Sequence, residues 1–146
     1  MIQFNKLTTD NISTVVKHMV DFYAIDGYPI NAEKSTELFH KFVANPQLGT
    51  CFTIHYNNEI CGYILLIQFM SFEMGGNVLL LDELYINNNY QGKGIGKKAM
   101  EFIKQFAKSN NYKKIVLEVE PHNGRAIHLY EKENFRKHKR DLMIFP

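Results

Sequence analysis

The chain has 146 residues, a formal net charge of only +2, nine glycines, two cysteines and no tryptophan. That length suits one domain, residues 1–146, around one core, and its 45% apolar and 13% aromatic content argues against a disordered chain. The longest apolar stretch, Cys61 to Met70, is broken by Gly62 and Gln68 and is too short for a membrane span; the near-balanced charge is unlike that of a dedicated nucleic-acid binder.

Met1 to Leu7 reads as a short strand, without the charged start and apolar block of a signal peptide. A helix follows, with Asp10 near its cap and Ile12, Val15, Val16, Met19, Val20 and Tyr23 at helical spacing, until Gly27-Tyr28-Pro29 breaks it. A second helix spans about Ala32 to Ala44, capped by Asn31, with Leu38, Phe39, Phe42 and Val43 on one side; Asn45-Pro46 ends it. Thr50 to Tyr56, Ile60 to Ser71 and Asn77 to Ile86 then read as a three-stranded antiparallel meander, turning at Asn57-Asn58 and Gly75-Gly76.

A third helix runs from near Gly94 to Ser109, burying Ala99, Met100, Ile103, Phe106 and Ala107. A strand over Lys114 to Glu120, a short helix over about Arg125 to Glu133, and a final strand ending near Phe145 complete the chain. The basic run Arg136 to Arg140 would be the solvated side of that last strand, which can pair between subunits to give a homodimer. The order β-α-α-β-β-β-α-β-α-β implies one mixed α/β domain whose last units cross over between parallel strands.

With a two-residue turn at Asn57-Asn58, Cys51 should face Ile64 and Cys61 should face Ile54. The thiols are then not opposite one another, so no disulfide is expected, and two cysteines cannot complete a four-ligand zinc site. This fits a reducing cytoplasm. The six histidines show no paired metal-ligand spacing, and no metal is expected.

The most informative stretch is Leu84-Tyr85-Ile86 followed by Gln91-Gly92-Lys93-Gly94-Ile95-Gly96-Lys97. Glycine lets successive amides turn toward one anion, the helix start adds unpaired donors, and Lys93, Lys97 and Lys98 add formal charge. The combination suits a pyrophosphate. It is not a P-loop, because Gly96-Lys97-Lys98 lacks the hydroxyl and the spacing, and the third glycine of a dinucleotide fingerprint is replaced by Lys97.

Gln91-Gly92-Lys93-Gly94-Ile95-Gly96 resembles the Gln/Arg-x-x-Gly-x-Gly/Ala signature of the GNAT superfamily, the acetyl-CoA-dependent N-acetyltransferases. Asn123-x-x-Ala126-x-x-x-Tyr130 resembles that family's next helix, with Asn134-Phe135 where Gly-Phe is usual; Asn, too, tolerates a left-handed backbone. The resemblance implies a central mixed sheet, mostly antiparallel with a parallel pair at the coenzyme site, flanked by about four helices. It implies acetyl-CoA as co-substrate, with Leu84, Tyr85 and Ile86 pairing with the pantetheine arm and amides from Gln91 through Lys97 on the pyrophosphate. Asn123 and Ala126 would line the arm from the other side, and Lys132 would approach the adenosine end or simply be solvated.

Acetyl transfer to a primary amine must first remove a proton, at a cost of about 4–5 kcal/mol at neutral pH for a lysine-like ammonium. Asp82 and Glu83 stand on the strand before the loop, and strand alternation lets only one face the acetyl group. Leu81 to Ile86 is similar to the acidic strand of the spermidine/spermine N-acetyltransferases, which favours Asp82 as base or water-relay residue, with Glu83 close behind. Tyr130 would donate a hydrogen bond to the departing thiolate, or serve as a core tyrosine. His122, beside Asn123, invites a general-base reading, but a loop histidine between Pro121 and Asn123 is more often a surface residue.

Asp21 to Pro29, including Tyr23, Asp26 and Tyr28, together with Phe69 to Met74, including Phe72 and Glu73, should border the acceptor; carboxylates and aromatics suit a cation. A small amine, polyamine or exposed lysine is the implied partner. A non-catalytic acyl-CoA-binding sensor on the same fold is the alternative, against which the acid and Tyr130 argue.

Overall fold

The computed structural model describes residues 1–146. Its sheet has five strands in the order β1 (Ile2–Lys6), β2 (Gly49–Tyr56), β3 (Glu59–Ser71), β4 (Gly76–Ile86) and β5 (Lys114–Leu117). The first four are mutually antiparallel, and β5 is parallel to β4. Four helices flank it: α1 (Ile12–Ile25), α2 (Ala32–Val43), α3 (Ile95–Ser109) and α4 (Gly124–Lys132). None is long and apolar enough to cross a membrane.

Two apolar layers sandwich the sheet. On one face Val15, Val16 and Met19 of α1 and Phe39 of α2 pack on Cys51, Tyr63, Leu65 and Tyr85. On the other, Ala99, Met100 and Ile103 of α3 pack on Phe52, Ile54, Ile64, Leu66 and Leu79. Leu38 and Val20, expected in the buried stripes, are 53% and 38% exposed, because each lies at the margin of its helix's contact face.

The turns are chemically specified. Asn57 and Asn58 both adopt positive φ (49° and 69°), as a two-residue hairpin requires. Asn31 accepts a hydrogen bond from the Lys34 amide and caps α2 (3.0 Å), while Asn134 takes φ 70° after α4 in the place of the usual glycine.

Three details depart from the sequence reading. First, a bulge between Ile54 and His55 shifts the β2–β3 register, so Cys51 faces Leu65 and Ile54 faces Gly62. The thiols are free and buried, and burial pushes Cys51 up to about 12. Second, β5 stops at Leu117 rather than Glu120, since β4 and β5 part there. Third, residues 136–146 form no strand: Leu142 to Phe145 are exposed, and Arg140 instead grips Glu73 with two hydrogen bonds (2.9 and 2.8 Å).

Gly62 sets the spacing of β3 and β4. A Cβ there would lie 2.0 Å from the Tyr85 carbonyl oxygen, so only glycine permits this approach. Gly62→Ala is therefore expected to lower stability by about 1–3 kcal/mol, measured as a shift in thermal or urea unfolding.

Candidate functional site: a cleft opened by diverging strands

The parallel β4–β5 ladder runs from Val78 with Lys114 to Leu81 with Leu117 and then ends, while β4 continues to Ile86. Leu84–Ile86 consequently keeps β3 on one edge and has no strand on the other. An open strand edge is a row of unpaired donors and acceptors, able to take up an extended ligand as an added strand. A cleft of about 750 Å³ lies along this edge, bounded by the glycine loop, α4 and the end of α1.

The loop supplies donors rather than charges. Gly92 and Gly94 adopt φ 79° and 77°, and no acceptor in the protein is bonded by the amides of Gly92 through Lys97; the next amide, Lys98, reaches the Gly94 carbonyl (3.2 Å). Gln91, Gly92, Gly94, Ile95 and Gly96 line the cleft. The lysine side chains do not, contrary to expectation. Lys93 lies over the Tyr56 ring (5.7 Å), Lys98 pairs with Glu101 (3.3 Å), and Lys97 is outside the lining. The loop's contribution to the cleft is its unbonded amides, those of Lys93 and Lys97 among them.

Across the cleft, Asn123 accepts a hydrogen bond from the Ala126 amide (3.1 Å) and caps α4. Both residues line the cleft, as do Tyr130 and Lys132 one and two turns along. The Tyr130 ring packs beside Phe135 (centroids 6.1 Å apart); its hydroxyl has no hydrogen-bond partner in the protein, and burial raises its pKa. Arg125, on the first turn of α4, was not anticipated. It reaches Gln91 Oε1 (2.5 Å), and Gln91 in turn donates to the Ile86 carbonyl (3.3 Å). Its position two residues after Asn123 was the available signal.

The two carboxylates are separated by a bulge rather than by simple alternation. Leu65 pairs with Glu83 and Leu66 with Leu81, so Asp82 is the extra, unpaired residue, placed where β4 and β5 part. Glu83 turns to the α1 side and accepts hydrogen bonds from Tyr23 (2.6 Å) and Tyr63 (2.5 Å). Burial raises its carboxyl above the ordinary value, against the opposing pull of the two hydroxyls. Both tyrosines are pushed well up, chiefly by burial, then by Glu83. Asp82 makes no side-chain hydrogen bond; partial desolvation first, and then the charge of Glu118, raise its pKa. Its charge is also felt by Tyr23 and by Glu83, although only Glu83 is hydrogen-bonded on the α1 side.

The segment after α1 crosses to the segment after β5 through two side-chain bonds. His122 Nε2 lies 2.8 Å from Asp26 Oδ1, and Tyr28 donates to Glu120. The hydrogen bond to Asp26 raises the His122 pKa, so its charge persists to higher pH than for a free imidazole. Asp26→Asn is expected to bring the His122 titration back down, as read by NMR of the ring carbons. Asp26 and His122 both line the cleft, whereas Tyr23, Tyr28, Asp82 and Glu83 lie outside its lining, with Tyr23 bonded to Glu83 and Tyr28 to Glu120. Phe72 and Glu73 do not join them. They occupy the β3–β4 hairpin tip, with Phe72 91% exposed. Ser71 lies six residues along β3 from Leu65, the partner of Glu83, a span of about 20 Å.

Comparison with known proteins follows the same lines. A spermine/spermidine N(1)-acetyltransferase of Bacillus subtilis (strain 168) is 31% identical over 87 residues, and a probable spermine N(1)-acetyltransferase of B. subtilis subsp. natto (strain BEST195) matches equally. The aligned segment covers 57% of this chain and 57% of each relative, so the chain matches little more than half of their length. The fold is similar to a possible acetyltransferase from Clostridium difficile 630 (TM-score 0.89, 19% identity, 100% of this chain and 97% of that one). It is also similar to a predicted acetyltransferase from Clostridium acetobutylicum solved with acetyl-CoA (TM-score 0.81, 20% identity, 99% and 96%). The acetyltransferase (GNAT) family model matches residues 16–135, which carry the diverging strands, the glycine loop and α4 together. The chain belongs to the acetyltransferase (GNAT) family.

Proposed function

We propose that the chain is an N-acetyltransferase that moves the acetyl group of acetyl-CoA directly onto a primary amine. The observation that supports this most is the continuity of one cleft: the open edge of Leu84–Ile86 leads into the unbonded amides of Gly92–Lys97, with the free hydroxyl of Tyr130 facing from α4. An extended amide-bearing arm ending in a diphosphate fits these donors and acceptors. The coenzyme supplies an activated acyl thioester; the chain supplies orientation and proton management.

Asp82 takes the proton from the incoming ammonium, directly or through water. It has an unbonded carboxylate at the point where the strands part, whereas both oxygens of Glu83 are engaged by tyrosines. Glu83 acts instead as a positioning residue, holding Tyr23 beside the acids. Tyr130 donates a hydrogen bond toward the departing thiolate. Its raised pKa makes complete proton transfer to a thiolate uphill, so charge stabilisation is its contribution.

The acceptor carries an ammonium. Asp26 lines the cleft, Asp82 feels the charge of Glu118, and His122, also in the lining, feels Asp26 and Glu120; the matched curated relatives act on polyamines by name. Free-thiol release from acetyl-CoA across polyamines, aminoglycosides, amino acids and lysine peptides tests the reading. Acceptor-dependent release is expected. Coenzyme binding with no release across the panel would favour a non-catalytic sensor.

A further inference from the structure

We propose that Arg125 is the cation that recognises the coenzyme's diphosphate, and that the free chain parks it on Gln91; this rests on the coenzyme reading above. A diphosphate carries charge that the neutral amides of Gly92–Lys97 do not balance. Lys93, Lys97 and Lys98, the formal charges nearest in sequence, are outside the cleft lining. Arg125 is inside it and bonded to Gln91 at the start of the glycine loop; Lys132, the other lysine or arginine of the lining, stands at the far end of α4 and has no bond to the loop.

The guanidinium is under-committed. Its one bond goes to a neutral amide oxygen, Gln91 Oε1, at 2.5 Å, and no carboxylate pairs with it. Arg140, by contrast, is held by both oxygens of Glu73. Guanidinium has five donors in a planar fork suited to two phosphate oxygens, so most of Arg125's donors remain free for an anion.

The parking contact also links two parts of the cleft. Gln91 donates to the Ile86 carbonyl on the open strand edge (3.3 Å). When Arg125 turns from Gln91 to a diphosphate, Gln91 loses the contact that orients it on Ile86, and that carbonyl becomes available to an amide of an added strand. Recognition of the anion and of the arm are thereby coupled through one side chain.

Equilibrium binding of CoA, dephospho-CoA and pantetheine to the intact chain tests this with no turnover required. Dephospho-CoA keeps the diphosphate and lacks only the 3′-phosphate; pantetheine lacks both. Arg125→Gln is expected to weaken CoA and dephospho-CoA alike by about tenfold or more, to spare pantetheine, and to be partly rescued by Arg125→Lys. Lys98→Gln, on the outer face of α3, should leave all three unchanged. An unchanged CoA affinity in Arg125→Gln would overturn the assignment, as would a loss confined to CoA, which would place the guanidinium on the 3′-phosphate. Equal weakening of pantetheine would mark a structural role and overturn it too. Failure of the unaltered chain to bind CoA would instead refute the coenzyme reading on which the assignment stands.

Discussion

Asp82→Asn is expected to reduce turnover at pH 7 by about 10²–10³-fold, within the usual range for loss of a general base. Asparagine keeps the size of the side chain and removes its capacity to accept the ammonium proton. The pH profile distinguishes this from a loss of shape. A base must be ionised to work, so the unaltered enzyme should lose rate as pH falls through the Asp82 pKa. Desolvation and Glu118 raise that pKa, which moves the acidic limb above the ordinary aspartate range. Asp82→Asn should lack this limb. Glu83→Gln should keep it, with a smaller loss of turnover, since Glu83's oxygens already hold Tyr23 and Tyr63. The reverse pattern, with the limb lost only in Glu83→Gln, would transfer the role to Glu83.

Tyr130→Phe should lower turnover by about 10²-fold, comparable to removing one donor from a site that stabilises developing charge. The phenyl ring preserves the packing beside Phe135 and removes only the unpartnered hydroxyl. Coenzyme affinity should therefore change little, giving a fall in kcat with a nearly constant dissociation constant. Equal losses in binding and turnover would indicate that the tyrosine holds the coenzyme rather than assisting departure of the thiolate. Unchanged turnover would remove it from the chemistry altogether.

Much of the site was legible along the chain because its parts are local. The glycine loop needs neighbouring residues at Gly92, Gly94 and Gly96, and the cap of α4 needs Asn123 three residues before Ala126. Both motifs survive intact in space. Strand alternation served the acids less well. It assumes an unbroken period of two, and the bulge at Asp82 breaks that period where the cleft begins. Phe72 and Glu73 were misplaced for a related reason: their composition suits a cation site, but position along a long hairpin is set by register. The charges behaved similarly, since Lys93 and Lys98 lie beside the glycine loop in sequence yet engage Tyr56 and Glu101, while Arg125 arrives from another helix.

The sequence by itself determined the periodicities that produce the strands and helices, the asparagine and glycine turns, the glycine loop and the family resemblance. Each depends on backbone preferences and side-chain spacing within a few residues. Only the tertiary structure decided where β4 and β5 separate, which carboxylate Tyr23 and Tyr63 engage, and which cation faces the loop. Those choices depend on strand register and on side chains meeting from distant segments, as Tyr23 meets Glu83 and Arg125 meets Gln91.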